Sequence, residues 1–175
     1  MPEPRTSDFE TSEPIRILFV CLGNICRSPL AEVVVRAEVD RRGLQNTFHI
    51  ESAGTGDWHV GNGADPRSAA TAERYGLDLS RHKAQQITRR NVGDWHWFVA
   101  MDHDNRRNLL AMGAPAERVL MMRQFEVDKG AAPEVPDPYY GGPDGFEHAY
   151  AMLRENAARL LDYLSENGTE NGRPH

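Results

Sequence analysis

Thiols are scarce in this chain: two cysteines in 175 residues, Cys21 and Cys26, both within one ten-residue stretch. So few, so close, they exclude a secreted disulfide framework, and with no further cysteine they exclude a Cys-rich zinc site. A cytoplasmic enzyme with functional thiols is the expectation. The seven histidines contain no His-x-x-x-His pair on a plausible helix, so no metal or other cofactor is expected. Positive charge is also short, with 20 Lys and Arg against 26 Asp and Glu and a net charge of -6. A surface built to track phosphates would be basic, which argues against nucleic acid as a partner. No apolar run reaches the length of a membrane span, so no membrane partner is expected either. Met1 to Glu13 carries five charged residues and no apolar core, unlike a signal peptide or a fold element. Residues 1–14 and 166–175 therefore read as a disordered leader and tail around one domain over 15–165, long enough to bury a core of its own.

What is present is concentrated in Val20-Cys21-Leu22-Gly23-Asn24-Ile25-Cys26-Arg27-Ser28-Pro29. Ile15 to Val20 is a β-branched and aromatic run that ends abruptly, as a buried strand does. Ser28 reads as an N-cap, with Pro29 where the first helical residue has no N–H to lose. A tight loop between strand and helix points its N–H groups and the helix N-terminus at one place, a natural seat for a dianionic oxyanion. A helix N-terminus and a nearby cation stabilise a thiolate, so Cys21 is the candidate nucleophile and Arg27 the fork for two phosphoryl oxygens. Gly23 lets the backbone approach the guest.

The helix of residues 29–42 has Leu30, Ala31, Val34, Val35 and Ala37 as buried candidates, with Glu32 and Arg36 paired on its wet face; Gly43 stops it. Phe48 to Glu51 is a second strand, left by the loop Ser52 to Gly56. Trp58 follows on a loop, either a lid over the core or an aromatic at the rim of the site, two compatible readings. Asp65-Pro66-Arg67 opens a helix that Gly76 closes. Trp97 to Met101 and Arg118 to Met122 are the third and fourth strands around a helix of residues 104–112. Asp102 is a helix cap or a buried partner of the site. A Pro-rich loop carries Asp137, and a helix through Phe146, Leu153, Leu160 and Leu164 keeps a 3.6-residue period. The βαβαβαβα order predicts an α/β fold, a three-layer, doubly wound, four-stranded parallel sheet of flavodoxin-like type with a phosphate-binding loop after strand 1.

A thiolate that expels a phenolate needs a proton donor. Asp137 is either a turn residue or that donor; its flanking prolines are expected to deny it neighbouring amide donors, which suits a carboxyl group that must carry a proton. Cys-x-Gly-Asn-x-Cys-Arg-Ser-Pro-x-Ala-Glu near the start, with Asp137-Pro138-Tyr139-Tyr140 near the end, closely resembles the low-molecular-weight protein tyrosine phosphatases. The resemblance spans about Ile15 to Leu164 and implies hydrolysis of protein phosphotyrosine and small aryl phosphates through a cysteinyl-phosphate. Residue by residue it implies Cys21 as nucleophile, Arg27 as clamp and Asp137 as general acid and then base. Leu22, Gly23, Asn24, Ile25, Cys26 and Ser28 would complete the phosphate loop, with Ser28 stabilising the departing thiolate. Asn24 would be left-handed and tethered by Ser52 and His82, and Asp102 would be a buried acid supporting the loop. Tyr139 and Tyr140 would wall the substrate ring opposite Trp58, with His59 shaping preference. Cys26 is a small packing residue or, as the family implies, a redox guard forming a reversible bond to Cys21.

The implied partners are phosphotyrosine proteins and a cognate tyrosine kinase, with the chain a monomer or weak homo-oligomer. Three alternatives stand beside this reading. An arsenate reductase of the thioredoxin-coupled kind resembles the same fold and loop, but it passes a disulfide to downstream cysteines, and this chain has none after Cys26. A phosphoarginine phosphatase resembles it too, with a Thr where Ile25 stands. The third is a phosphate-binding module without turnover.

Overall fold

β1 (Ile15–Cys21) is the centre of the molecule because every second residue faces a different core. Ile15, Ile17, Phe19 and Cys21 point into one apolar layer, and Leu18 and Val20 into the other. The structure is a computed structural model and describes residues 13–126, 133–140, 142 and 144–171; the leader before Glu13 and residues 172–175 lie outside them. β1 pairs in parallel with β2 (Phe48–Gly54) on one side and β3 (Trp97–Ala100) on the other, and β4 (Val119–Met121) joins β3. The order β2-β1-β3-β4, all parallel, is the doubly wound arrangement expected.

Helices close both faces. α1 (Arg27–Arg41) and α4 (Gly145–Asn171) pack together on the first layer, with α2 (Pro66–Arg74) against both, and α3 (His103–Ala111) covers the second through Leu109. Such sheets present ligand sites beyond the carboxyl ends of their strands. The loop after Cys21, the segment after Gly54 and Asp102 after β3 all emerge there.

Four expectations need correction. α1 begins at Arg27 with Cys26 at the cap and no side-chain cap bond, so Ser28 lies inside the first turn, its hydroxyl spent elsewhere. Within α1, Val33 and Val39 are buried while Ala37 is exposed. β2 runs on to Gly54, pairing Ser52 with Phe19 and Gly54 with Cys21, so Ser52 stands on a strand rather than a loop. α4 continues to Asn171 rather than ending before a disordered tail. Gly168 falls one helical step beyond buried Leu164, and a Cβ there would lie 3.3 Å from the Trp97 ring nitrogen.

Candidate active site

The loop from Cys21 to Arg27 is held in shape from outside, one carbonyl at a time. Thr55 and Gly56 N–H groups donate to the carbonyls of Cys21 and Leu22, at 3.0 and 2.9 Å. The Asp65 N–H donates to Ile25 at 2.9 Å, and the Ser68 hydroxyl to Cys26 at 3.0 Å. His82 reaches the Asn24 carbonyl through Nε2 at 2.7 Å, and because a carbonyl only accepts, Nε2 carries the proton. With the carbonyls drawn outward, the N–H groups of residues 22–26 have no protein acceptor among the described residues and converge as an anion seat. Asn24 sits at φ +60°, a left-handed geometry that costs a non-glycine residue energy and is sustained by this ring of donors. Gly54 is obligatory beside it: a Cβ would stand 2.7 Å from the Leu22 carbonyl oxygen.

Beneath the loop a network of hydrogen bonds reaches the Cys21 sulfur. Asn24 Nδ2 donates to both Ser28 Oγ (2.9 Å) and Ser52 Oγ (3.0 Å), and Ser52 passes its own proton to Glu32 Oε1 at 2.6 Å. Glu32 is in turn paired with Arg36. Ser28 Oγ also lies 3.0 Å from Cys21 Sγ and 3.5 Å from the Ala53 carbonyl; when Cys21 is a thiolate the sulfur can only accept, and Ser28 is then its donor. The Ser28 N–H adds a longer contact to the same sulfur at 3.4 Å.

Arg27, 2% exposed, is aimed by two acceptors: Asp102 Oδ2 at 2.7 Å and the Val135 carbonyl at 3.0 Å. Burial opposes its charge, but Cys21, Asp102 and Asp137 outweigh it and hold the guanidinium protonated. Asp102, half-buried rather than buried, uses its two oxygens separately. Its Oδ1 accepts the Asn105 N–H at 2.8 Å and caps α3 while Oδ2 holds Arg27.

Asp137 comes from the distant loop and places Oδ2 3.8 Å from Arg27 Nη2. The expectation that prolines deny it amide donors does not hold: the Tyr139 N–H, just past Pro138, donates to Oδ1 at 3.0 Å. One oxygen is thus fixed and the other faces the cleft. That cleft, about 400 Å³, is lined by Cys21, Leu22, Gly23, Ile25, Cys26, Arg27, Trp58, His59, Asp137 and Tyr139. Trp58 is 68% exposed, so it stands at the rim and is no lid over the core. Its ring lies on Gly56, where a Cβ would overlap it. His59 approaches Gly23, and Tyr139 is 39% exposed on the far side. Tyr140 closes the 3-10 turn Pro138–Tyr140, and its side chain lies outside the described residues.

The Cys26 side chain packs with Ile25, Ala84 and Phe146. Burial first, then the charges of Asp65, Cys21 and Asp137, push its thiol well up, so it stays protonated beside Cys21. Both cysteines are free.

Residues 16–170 match the family model described as low molecular weight phosphotyrosine protein phosphatase. The chain belongs to that family. A fission yeast relative of the same description, from Schizosaccharomyces pombe, is 43% identical over 153 residues, covering 86% of this chain and 97% of that one. The crystal structure of YfkJ from Bacillus subtilis superposes with a TM-score of 0.82 at 31% identity, covering 90% of this chain and 98% of that one. An arginine phosphatase of Drosophila superposes at 0.77 with 30% identity, covering 85% and 97% of the two chains. This family member is therefore a phosphoric monoester hydrolase by descent.

Sequence reasoning missed two contributors. Glu32 makes the expected pair with Arg36 but also accepts the Ser52 hydroxyl, a link across 20 positions that helical spacing does not encode. Arg67 was read only as part of a helix start. Its side chain forks onto Asp65 (Nε to Oδ1 3.0 Å, Nη2 to Oδ2 2.8 Å) and donates from Nη1 to the Tyr139 carbonyl at 3.2 Å. Its guanidinium also lies 5.1 Å from the Tyr139 ring and 4.9 Å from that of Phe146. Arg67 thereby joins the Asp137 loop to the helix that holds the Ile25 carbonyl.

Proposed function

We propose that this phosphatase hydrolyses protein phosphotyrosine and small aryl phosphates in two steps without a metal. In the first, Cys21 Sγ attacks phosphorus in line, the P–O bond to the phenol breaks, and Asp137 gives the leaving oxygen its proton. Arg27 and the loop N–H groups bind the three equatorial oxygens, where charge sits in the transition state. In the second, the Asp137 carboxylate takes a proton from water as its oxygen attacks the cysteinyl-phosphate; phosphate departs and the Cys21 thiolate is received by the Ser28 proton.

The observation that carries this reading is the 3.0 Å contact of Cys21 Sγ with Ser28 Oγ at the end of the Asn24 network, where a thiolate has a hydroxyl proton to accept. A binding module has no use for a hydroxyl proton delivered to a sulfur. The aromatic pair Trp58 and Tyr139 with apolar Ile25 favours an aryl guest, Asp137 supplies the proton a phenolate needs, and these together weigh against phosphoarginine and arsenate. The substrates are proteins phosphorylated by a cognate tyrosine kinase, met in the cytoplasm by a monomer or weak homo-oligomer. Cys26 is a redox guard, capturing oxidised Cys21 in a reversible disulfide.

Turnover of phosphotyrosine, phosphoserine and phosphoarginine compared side by side tests the substrate class; preference for either of the last two overturns it. Cys21→Ser abolishes turnover while leaving phosphate binding intact. Peroxide inactivation that thiol reverses is expected, and irreversible loss with Cys26 still reduced defeats the guard role.

A further inference from the structure

A second cleft, about 360 Å³, lies beside the first, and the two share Leu22 and Trp58 as a common wall. It is otherwise lined by Thr55 and Gly56 after β2, by Arg89, and by Asn108, Ala111 and Met112 at the end of α3. The dividing wall is an apolar ridge standing in solvent, with Leu22 44% and Trp58 68% exposed.

The polar groups of this second cleft are unspent. Thr55 Oγ1 is buried without a hydrogen-bond partner among the described residues. Arg89 and the Asn108 side chain are exposed and, among the described residues, make no hydrogen bond or ion pair. Arg89 therefore places an unpaired positive charge at the edge of a cleft whose other lining residues carry no charge.

We propose that this cleft receives an acidic side chain of the same polypeptide that carries the phosphotyrosine, with Arg89 holding its carboxylate. The inference rests on the tyrosine phosphatase reading above and deepens it. An extended peptide advances about 3.3 Å per residue, so with the phosphotyrosine ring between Trp58 and Tyr139 a near neighbour crosses the Leu22–Trp58 ridge. The guanidinium fork donates to both carboxylate oxygens, and the exposed Asn108 amide is a further donor. The apolar lining of Trp58, Ala111 and Met112 displaces water around the pair, which strengthens it over an ion pair on open surface. A lysine at the same peptide position meets Arg89 and is repelled. Free phosphotyrosine and small aryl phosphates occupy only the first cleft and are indifferent to the second.

The test uses phosphotyrosine peptides identical except for Glu, Gln or Lys at the positions flanking the phosphotyrosine, with p-nitrophenyl phosphate as the small substrate. The native enzyme should favour Glu over Gln in kcat/KM by about two- to fivefold, the size of one ion pair at the surface, and Gln over Lys. Arg89→Ala should lower only the Glu peptide to the level of Gln, and Arg89→Glu should turn the preference toward Lys, with p-nitrophenyl phosphate unchanged throughout. Equal rates on the three peptides overturn the proposal, as does a Glu preference that survives Arg89→Ala or an equal loss on all peptides. Failure of the native enzyme on every phosphotyrosine peptide, with another phosphate ester turned over, instead overturns the reading beneath it.

Discussion

Substitution at Asp102 separates two jobs done by the two oxygens of one carboxylate. Asp102→Ser keeps a side-chain acceptor for the Asn105 N–H and gives up the 2.7 Å contact to Arg27; Asp102→Ala gives up both. A lost cap costs about 1 kcal/mol. Stripping one partner from a buried ion pair costs about 3–5 kcal/mol. The Val135 carbonyl at 3.0 Å and Asp137 at 3.8 Å stay on Arg27, so about 2–3 kcal/mol is the expectation for that part. Urea unfolding should then place Asp102→Ser about 2–3 and Asp102→Ala about 3–4 kcal/mol below the native protein. Activity should follow Arg27 and not the cap. Both variants should lose on the order of 10–100-fold in kcat/KM on p-nitrophenyl phosphate, short of the 10²–10³ that follows outright removal of an oxyanion donor. Inhibition by inorganic phosphate should weaken in parallel. Native kcat/KM and phosphate inhibition in Asp102→Ser, with only a cap-sized loss of stability, would refute the reasoning and leave Asp102 as a helix cap alone.

Arg67→Ala, and to a lesser degree Arg67→Lys, which keeps the charge but not the fork, should lower kcat on phenyl phosphate about tenfold through a misplaced Asp137. The deficit should shrink for leaving groups that need no proton, and an equal deficit across leaving groups would assign Arg67 to folding only. Arg41 and then Arg42 hold the Glu38 carboxyl down at about 2, below its unfolded value, so its contribution to stability is complete above about pH 5 and is lost as pH falls toward 2. The urea midpoints of native protein and Glu38→Gln should therefore differ at pH 6 and converge near pH 2, and a gap independent of pH would remove the ion pairs as the cause. Gly56→Ala should lift Trp58 off its backbone seat, changing its fluorescence and raising KM on phosphotyrosine peptides while kcat on p-nitrophenyl phosphate holds.

The strands and helices that carry strong apolar periodicity, β1 and α4 above all, were legible because burial alone dictates them. The phosphate loop was legible because a buried strand that runs out at Cys21 into Gly23-Asn24 before Ser28-Pro29 has few ways to turn. What escaped is where side chains were spent on chemistry. Ser28 is a good cap by type, yet its hydroxyl serves Cys21, and α1 begins without a side-chain cap. Ser52-Ala53-Gly54 has weak strand propensity and extends β2 because only small residues let the loop sit 2.7 Å from a would-be Cβ at Gly54. The polar end of α4 reads as a tail until Trp97 supplies a surface for Gly168, a contact 71 positions away in the chain that no local pattern encodes. The reach of Arg67 to Tyr139 is likewise a tertiary fact, whereas the amide on Asp137 is a local Asx turn two residues long that the Asp-Pro-Tyr sequence itself offers.

The five carbonyls tied back around the Cys21 loop have a consequence for how the enzyme behaves among metabolites. A mould whose shape is imposed by Thr55, Gly56, His82, Asp65 and Ser68 spends no ordering entropy when filled. It therefore cannot distinguish what is arriving from what has just been made: inorganic phosphate fits the seat of the phosphoryl group it came from. Inorganic phosphate is therefore expected to compete with substrate for the seat, so initial rates on p-nitrophenyl phosphate should fall as phosphate is added, with KM rising and kcat unchanged.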